Sequence, residues 1–391
     1  MSPSRTDDLR AYFSAPNATP RPILTSLNGD HSWLASFPRP AAERAQPNSK
    51  TFFHVVIDPW LAGESTLLGS WFISITTPAP AAINSGAAVE DVVREIEAEA
   101  NQGAPRTEEG TDKTNNSSPI DAIFLNFHYG DHVHEPTLRT FNRDIPVFAT
   151  AEAGALAQKL NHFSHLTFTH DLVGGSSPTQ SWRSLRPGQQ DSGSSSDASS
   201  TTTAASALPD WLTVFRIPGH HELNHGTAII YSPPSPDPAT VPQRHETLLL
   251  IPHGIRTDQP ALQAFLTFLR DEDPKERLDL LALLHPLKVN YAFGRQFTMG
   301  LEGGMELLEE FPKCGDGSDG SGSGSGSGSG NGPRYWIPTH NAMLGYAGLL
   351  AWVMWINDVV RTVGEAQEEM EKKKKAPKVV GVENGSCLVL M

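Results

Sequence analysis

Apolar residues along the chain fall into short runs more often than into long helical stripes. Ile23 to Leu27 and Ser32 to Phe37 flank Asn28-Gly29. That dipeptide is the strongest short-range hairpin signal, because it adopts the left-handed conformations that join two twisted strands. Phe52 to Ile57 is a further apolar run, stopped by Asp58-Pro59. Ile120 to Leu125, Val147 to Ala149, Leu166 to Phe168, Leu212 to Ile217, Thr227 to Tyr231 and Thr247 to Ile251 also predict strands. Each is short and strand-like in composition. Helices are predicted over Pro136 to Phe141, Ala151 to Leu160, Pro260 to Leu269, Met305 to Phe311 and Asn341 to about Lys374. Strands that open in a hairpin and later alternate with helices predict a mixed α/β layered domain.

Four polar stretches interrupt the pattern: about 77–118, 174–207, 232–243 and 315–332. The first includes an acidic helical piece, Val89 to Ala100, and the last is almost pure Gly-Ser. Such compositions bury too little apolar surface to offset the entropy of ordering. They are expected to be flexible insertions in one globular domain spanning 22–363, with 364–391 as a charged helix end and tail.

Composition narrows the function. The 391 residues carry a net charge of −14, which disfavours nucleic acid and anionic membrane as partners. Cys314 and Cys387 both lie in or beside polar stretches, so no disulfide framework or thiolate cage is expected. The N-terminal residues lack the apolar core of a signal peptide. The apolar stretch from Ala342 to Ile356 falls short of the ~20 residues that span a bilayer, so a buried helix is expected there. The expected setting is cytoplasmic, with a small-molecule substrate as partner and the oligomeric state open.

Histidine placement carries the chemistry. From Asp121 the sequence runs DAIFLNFHYGDHVHEPTL, so a buried strand ends in a loop presenting His128, Asp131, His132 and His134. Imidazoles and carboxylates are the ligands transition metals take when thiolates are absent. A loop just past a strand end fixes them while leaving one side open for water. Further histidines follow apolar runs: His220 and His221 after Ile217-Pro218-Gly219, His253 after Ile251-Pro252, His285 after Leu284, and His340 after Pro338-Thr339. Strand ends on one edge of a sheet converge, so a shared site is expected.

On these residues the chain resembles the metallo-β-lactamase superfamily over roughly Ile23 to Val363. The resemblance implies a four-layer αβ/βα sandwich and a hydrolase using one or two metal ions. Asp58, in Val56-Ile57-Asp58-Pro59-Trp60, matches the aspartate that braces the family's metal loop from outside the ligand set. Asp131-His132 matches the end of its His-x-His-x-Asp-His loop, and His220 and His340 match its two later histidines. Phe127 and Tyr129 stand where that loop has its first two histidines. Pro252-His253-Gly254 stands where a bridging aspartate is usual.

The resulting expectation is a site drawn from His128, Asp131, His132, His220, His253 and His340, with Asp58 as brace. Asp131 is also the candidate base, and His221 remains an alternative to His220. One zinc ion is expected rather than two. The chain would hydrolyse a small organic substrate, an ester, lactam or similar, by metal-bound hydroxide. The alternative is a non-catalytic relative that binds or regulates through the same cleft. Tyr129 would either donate to a substrate oxyanion or fill space a metal once occupied.

Overall fold

The computed structural model describes residues 4–16, 18–47, 49–101, 117–174, 181–188, 208–233, 243–270, 276–311, 332–373 and 377–391. The predicted hairpin forms: Ile23–Ser26 pairs antiparallel with Trp33–Pro38, Ile23 opposite Ser36 and Ser26 opposite Trp33. Phe52–Ile57 continues the sheet antiparallel, and Ala122–Leu125, Val147–Ala149 and Leu166–Phe168 then add in parallel. Cys387–Val389 pairs on the other side of Ile23–Ser26 and completes seven strands. A second seven-stranded sheet runs in the order Lys378–Val379, Tyr335–Ile337, Glu276–Leu284, Gln243–Leu250, Gly226–Tyr231, Leu212–Ile217 and His170–Asp171.

Three apolar layers hold these sheets. Trp33, Phe37, Phe124, Val214, Leu248 and Ile337 belong to the layer between them. Outside the first sheet, helices Arg5–Phe13, Gly86–Ala100 and Ala151–Leu160 contribute Leu9, Val93, Ile96 and Ala153. Outside the second, helices Pro260–Arg270, Gly300–Glu310 and Val363–Lys372 contribute Leu262, Phe265, Leu307 and Met370. The layers run helix, sheet, sheet, helix: the αβ/βα sandwich expected. Both faces of each sheet are covered, which is why Phe52–Ile57 and Gly226–Tyr231 are buried at every position and read as continuous apolar runs.

Several expectations change. Gly86–Ala100 is not part of an insertion but a core helix, capped by Ser85 and burying Val89, Val92, Val93 and Ile96 along one side. The acidic residues on its other face hid that stripe in the average composition. Residues 364–391 are not a tail. Ala366 and Met370 are buried, Lys378–Val379 extends the second sheet and Cys387–Val389 extends the first. The Asn341 to Lys374 helix is broken into a strand Gly345–Ala347, a short helix Leu349–Met354, a strand Asn357–Val359 and the capped helix Val363–Lys372. Gly348 is the break. It sits at φ 94, where a Cβ would meet the Phe72 carbonyl oxygen at 2.7 Å. Ala342 to Ile356 is therefore no buried helix, and Trp352 and Trp355 are 77% and 80% exposed. Of the expected insertions at about 77–118, 174–207, 232–243 and 315–332, the parts 102–116, 175–180, 189–207, 234–242 and 315–331 lie outside the described residues, as does Cys314. Among the described residues, no helix is long and apolar enough to cross a membrane.

Two stability measurements follow. Ile96→Ala is expected to cost about 2–5 kcal/mol in urea unfolding, as for a core aliphatic; a loss within about 0.5 kcal/mol would return this helix to the surface. His285, buried beside the Gly300–Glu310 helix, donates from Nδ1 to the Pro286 carbonyl at 2.9 Å. Burial pushes its pKa down to about 4. The unfolded chain therefore binds the proton first, and stability held above about pH 6.5 is lost as pH falls toward 4, on the order of 2 kcal/mol by pH 5. His285→Asn should lose less stability between pH 7 and 5 than the parent chain. An equal loss in both would place the acid sensitivity elsewhere.

Candidate metal centre

The turn between the first two strands begins the site. Asn28 Oδ1 accepts from the backbone N–H groups of Asp30 (2.9 Å) and Ser32 (3.1 Å), and Gly29 takes φ 74. This asparagine-centred turn points Asp30 and His31 inward. Asp58 follows the third strand at φ 44, a left-handed conformation that costs energy for an aspartate. Its carboxylate holds it there by accepting from Asn126 N at 2.7 Å and Asn126 Nδ2 at 3.1 Å. Asp58 thus fixes the first residue of the histidine-rich loop. The loop then turns tightly, with His132 N and Val133 N both donating to the Tyr129 carbonyl.

Four buried side chains, His31, Asp131, His132 and His340, bring possible ligand atoms within 4.8 Å of one another. Their hydrogen bonds separate them. His31 uses both ring nitrogens, facing Asp30 Oδ2 at 2.9 Å through Nδ1 and the Asp131 carbonyl at 3.0 Å through Nε2. Both partners only accept, so the ring is an imidazolium with no lone pair to give a metal. Burial opposes that charge, but the hydrogen bond and charge of Asp30, with Asp131 and Asp58 nearby, raise its pKa to about 9. His340 donates from Nδ1 to the same Asp30 oxygen at 2.8 Å, which leaves Nε2 free. Burial keeps His340 neutral. Asp30 also accepts from Ala342 N at 2.8 Å. Burial alone would raise its pKa, yet its two imidazole partners hold it well below the usual carboxylate range.

His132 is fully buried, and neither ring nitrogen has a hydrogen-bond partner. Nδ1 lies 3.2 Å from Asp58 Oδ2, and Nε2 lies 3.9 Å from Asp131 Oδ2. With zinc–ligand bonds of about 2 Å, that second gap is ion-sized. Burial would raise the Asp131 pKa, but interaction with the neighbouring imidazoles of His132, His31 and His340 lowers it, so it is an anion at neutral pH. Asp131, His132 and His340 therefore fit a divalent metal ion. His340 donates its other nitrogen to the buried carboxylate of Asp30, the support that fixes ring and tautomer in metal sites, and the Asp58 carboxylate lies beside the other nitrogen of His132.

The other expected residues lie elsewhere. His128 is half-exposed and turns to Glu222, 3.9 Å away. His220 and His221 are exposed on the loop after Leu212–Ile217. The residue that enters from that loop is His225, which bonds the Asn126 carbonyl through Nε2 at 3.1 Å. His134 is buried but spends both nitrogens on Thr137 Oγ1 and the Glu64 carbonyl. His253 comes to the edge of the cluster, its ring 4.8 Å from His340 and 5.6 Å from His132 between centroids. Burial and the neighbouring imidazoles push its pKa well down, so it is neutral. Phe127 fills the space between, stacked on His225 at 3.9 Å and set 4.8 Å from His132 and 4.9 Å from His253. The Tyr129 hydroxyl donates outward to Glu222 at 2.9 Å.

Asp30 and His31 are not among the residues expected from the sequence, because His31 precedes a strand instead of following one. The signal that would have found them was already there: the Asn28-Gly29 turn carries both.

No protein-family profile matches the chain, and no curated protein does. Solved structures do. The isothiocyanate hydrolase from Delia radicum gut bacteria is 13% identical at a TM-score of 0.47, covering 94% of this chain and 99% of its own. A possible metal-dependent hydrolase from Veillonella parvula is 10% identical at a TM-score of 0.47, covering 95% and 100%. The metallo-β-lactamase fold protein YhfI from Bacillus subtilis is 9% identical at a TM-score of 0.39, covering 94% and 99%. Likenesses this distant carry no argument about chemistry, which rests on the side chains above. The fold itself is two mixed seven-stranded sheets between helical layers, the four-layer αβ/βα sandwich expected from the sequence.

Asp30→Asn is expected to weaken metal binding 10- to 100-fold in competition with a chromogenic chelator, because the amide is uncharged and must turn its NH2 group toward either the two imidazole donors or the Ala342 N–H. Unchanged affinity would remove Asp30 from the support of His340.

Proposed function

We propose that the chain is a hydrolase of a small organic substrate, an ester, lactam or similar acyl compound, working with one divalent ion, zinc first among them. The observation that carries the proposal is the convergence of Asp131, His132 and His340, each imidazole backed by a buried carboxylate. Three protein ligands with one position left for water are the arrangement of catalytic zinc, whereas structural zinc closes with four. The ion would supply Lewis acidity and an activated water.

The chain's own groups complete the chemistry. Asp131 is ionised and offers a carboxylate oxygen to accept a proton from the attacking water. His253, neutral at the edge of the cluster, offers a further acceptor. The His31 imidazolium places a fixed positive charge beside the ligands, which favours negative charge developing on substrate oxygen. Phe127 packs against His132, His225 and His253, where a second ion would need donors, and this supports a single ion.

One observation favours the non-catalytic alternative: Asp131, His132 and His340 are at most 8% exposed, so substrate has a narrow approach. Elemental analysis of protein purified without chelator separates the two. Hydrolysis predicts about one metal per chain, lost in Asp131→Ala plus His132→Ala together with turnover of an ester and lactam panel. Metal without turnover would support binding alone. No metal even after zinc is supplied would defeat the hydrolase.

A further inference from the structure

We infer that the charge-free face built around the helix Leu349–Met354 is the surface on which a second copy of this chain docks. Residues 342–357 contain no charged side chain. Within them the helix Leu349–Met354 is apolar throughout and buries none of its residues. Two small sheets frame it. On one side Leu349 N and Leu350 N donate to the carbonyls of Trp71 and Phe72, and Gly345–Ala347 pairs with Ile73–Thr76. On the other, Phe293 N donates to the Met354 carbonyl, and Asn357–Val359 pairs with Val289–Ala292. Backbone hydrogen bonds thus hold the exposed side chains of Leu68, Trp71, Phe293, Leu349, Trp352 and Trp355 as one surface. Most of the exposed large apolar residues among those described lie on or beside it. Trp355 sits at φ 46, a strained left-handed conformation for an aromatic residue, and still presents its ring to the outside.

Size points to a protein partner. The four aromatic residues alone present on the order of 500 Å², given ~150–250 Å² per aromatic side chain and their exposure of half or more. The aliphatic neighbours bring the face close to the ~800 Å² that each partner contributes to a stable interface. Isolated monomers rarely expose a contiguous apolar patch larger than a few hundred Å².

Charge selects the partner. The chain carries −14, so two copies repel at long range and meet at least cost through a face without charge. The same charge opposes an anionic membrane. A two-fold arrangement needs only one self-complementary patch, which this face supplies. Ala342, whose N–H holds Asp30, lies at the start of the same segment, so the docked copy would sit beside the metal centre.

Sedimentation velocity of the full chain tests this. The parent is expected to be a dimer at about 10 μM, and Trp352→Glu plus Trp355→Glu should weaken association about 100-fold or more, as loss of interface aromatics does. Those side chains are exposed, so far-UV circular dichroism and metal content should be unchanged. Leu68→Glu, from the neighbouring hairpin, should weaken the same dimer. A parent chain that stays monomeric at about 100 μM would overturn the inference, as would a dimer indifferent to all three substitutions. Co-sedimentation of a monomeric parent with neutral phosphatidylcholine vesicles would also overturn it and assign the face to lipid.

Discussion

A carboxylate without solvent must be paired, and the pairing of Asp30 ties this molecule together. Its side chain sits in the turn of the first sheet, yet two of its partners, His340 and Ala342, follow a strand of the second. Its third is His31, next in sequence. Leaving such a charge buried and unpaired would cost several kcal/mol. The contact therefore fixes how the two sheet edges meet, and with them the spacing of the groups that face an ion.

Everything around that carboxylate is a consequence of the layers. Each sheet is apolar on both faces, so polar groups are driven to strand ends, where backbone leaves the sheet and needs partners. Asp58, Asn126, His253 and His340 all stand just past strands. The inter-sheet core of Trp33, Phe124, Leu248 and Ile337 sets the distance between those ends. The cluster is a polar cap on an apolar sandwich. Buried ring nitrogens of His132 and His253 have no hydrogen-bond partner, and there the site differs from a satisfied core.

The His31 imidazolium has a structural counterpart in Phe127. One carboxylate serving two imidazoles supports one charged ring and one neutral ring, and His31 is the charged one because its second nitrogen meets another acceptor. Phe127, an apolar ring, stands against His132, His225 and His253. His132 therefore packs against both a fixed cation and an aromatic ring.

Much of this was legible in the chain. The hairpin at Asn28-Gly29, the apolar runs and the loop ending Asp131-His132 are local signals, and local backbone preference with side-chain burial produced the elements they predict. The helix at Val89 to Ala100 was legible, but its place in the core was masked by its acidic outer face. The segment after Asn341 was misjudged because apolar spacing outweighed Gly345 and Gly348 as breakers. What sequence could not decide was which histidines point inward. His128, His134, His220 and His225 all belong to plausible loops, and their roles depend on which carbonyl or carboxylate lies opposite, contacts made across tens to hundreds of residues. The sequence by itself determined the strands, the layering and the loop that carries Asp131 and His132. Only the tertiary structure decided that Asp30 binds His31 and His340 together, because a buried charge chooses its partners by proximity in space and not by order along the chain.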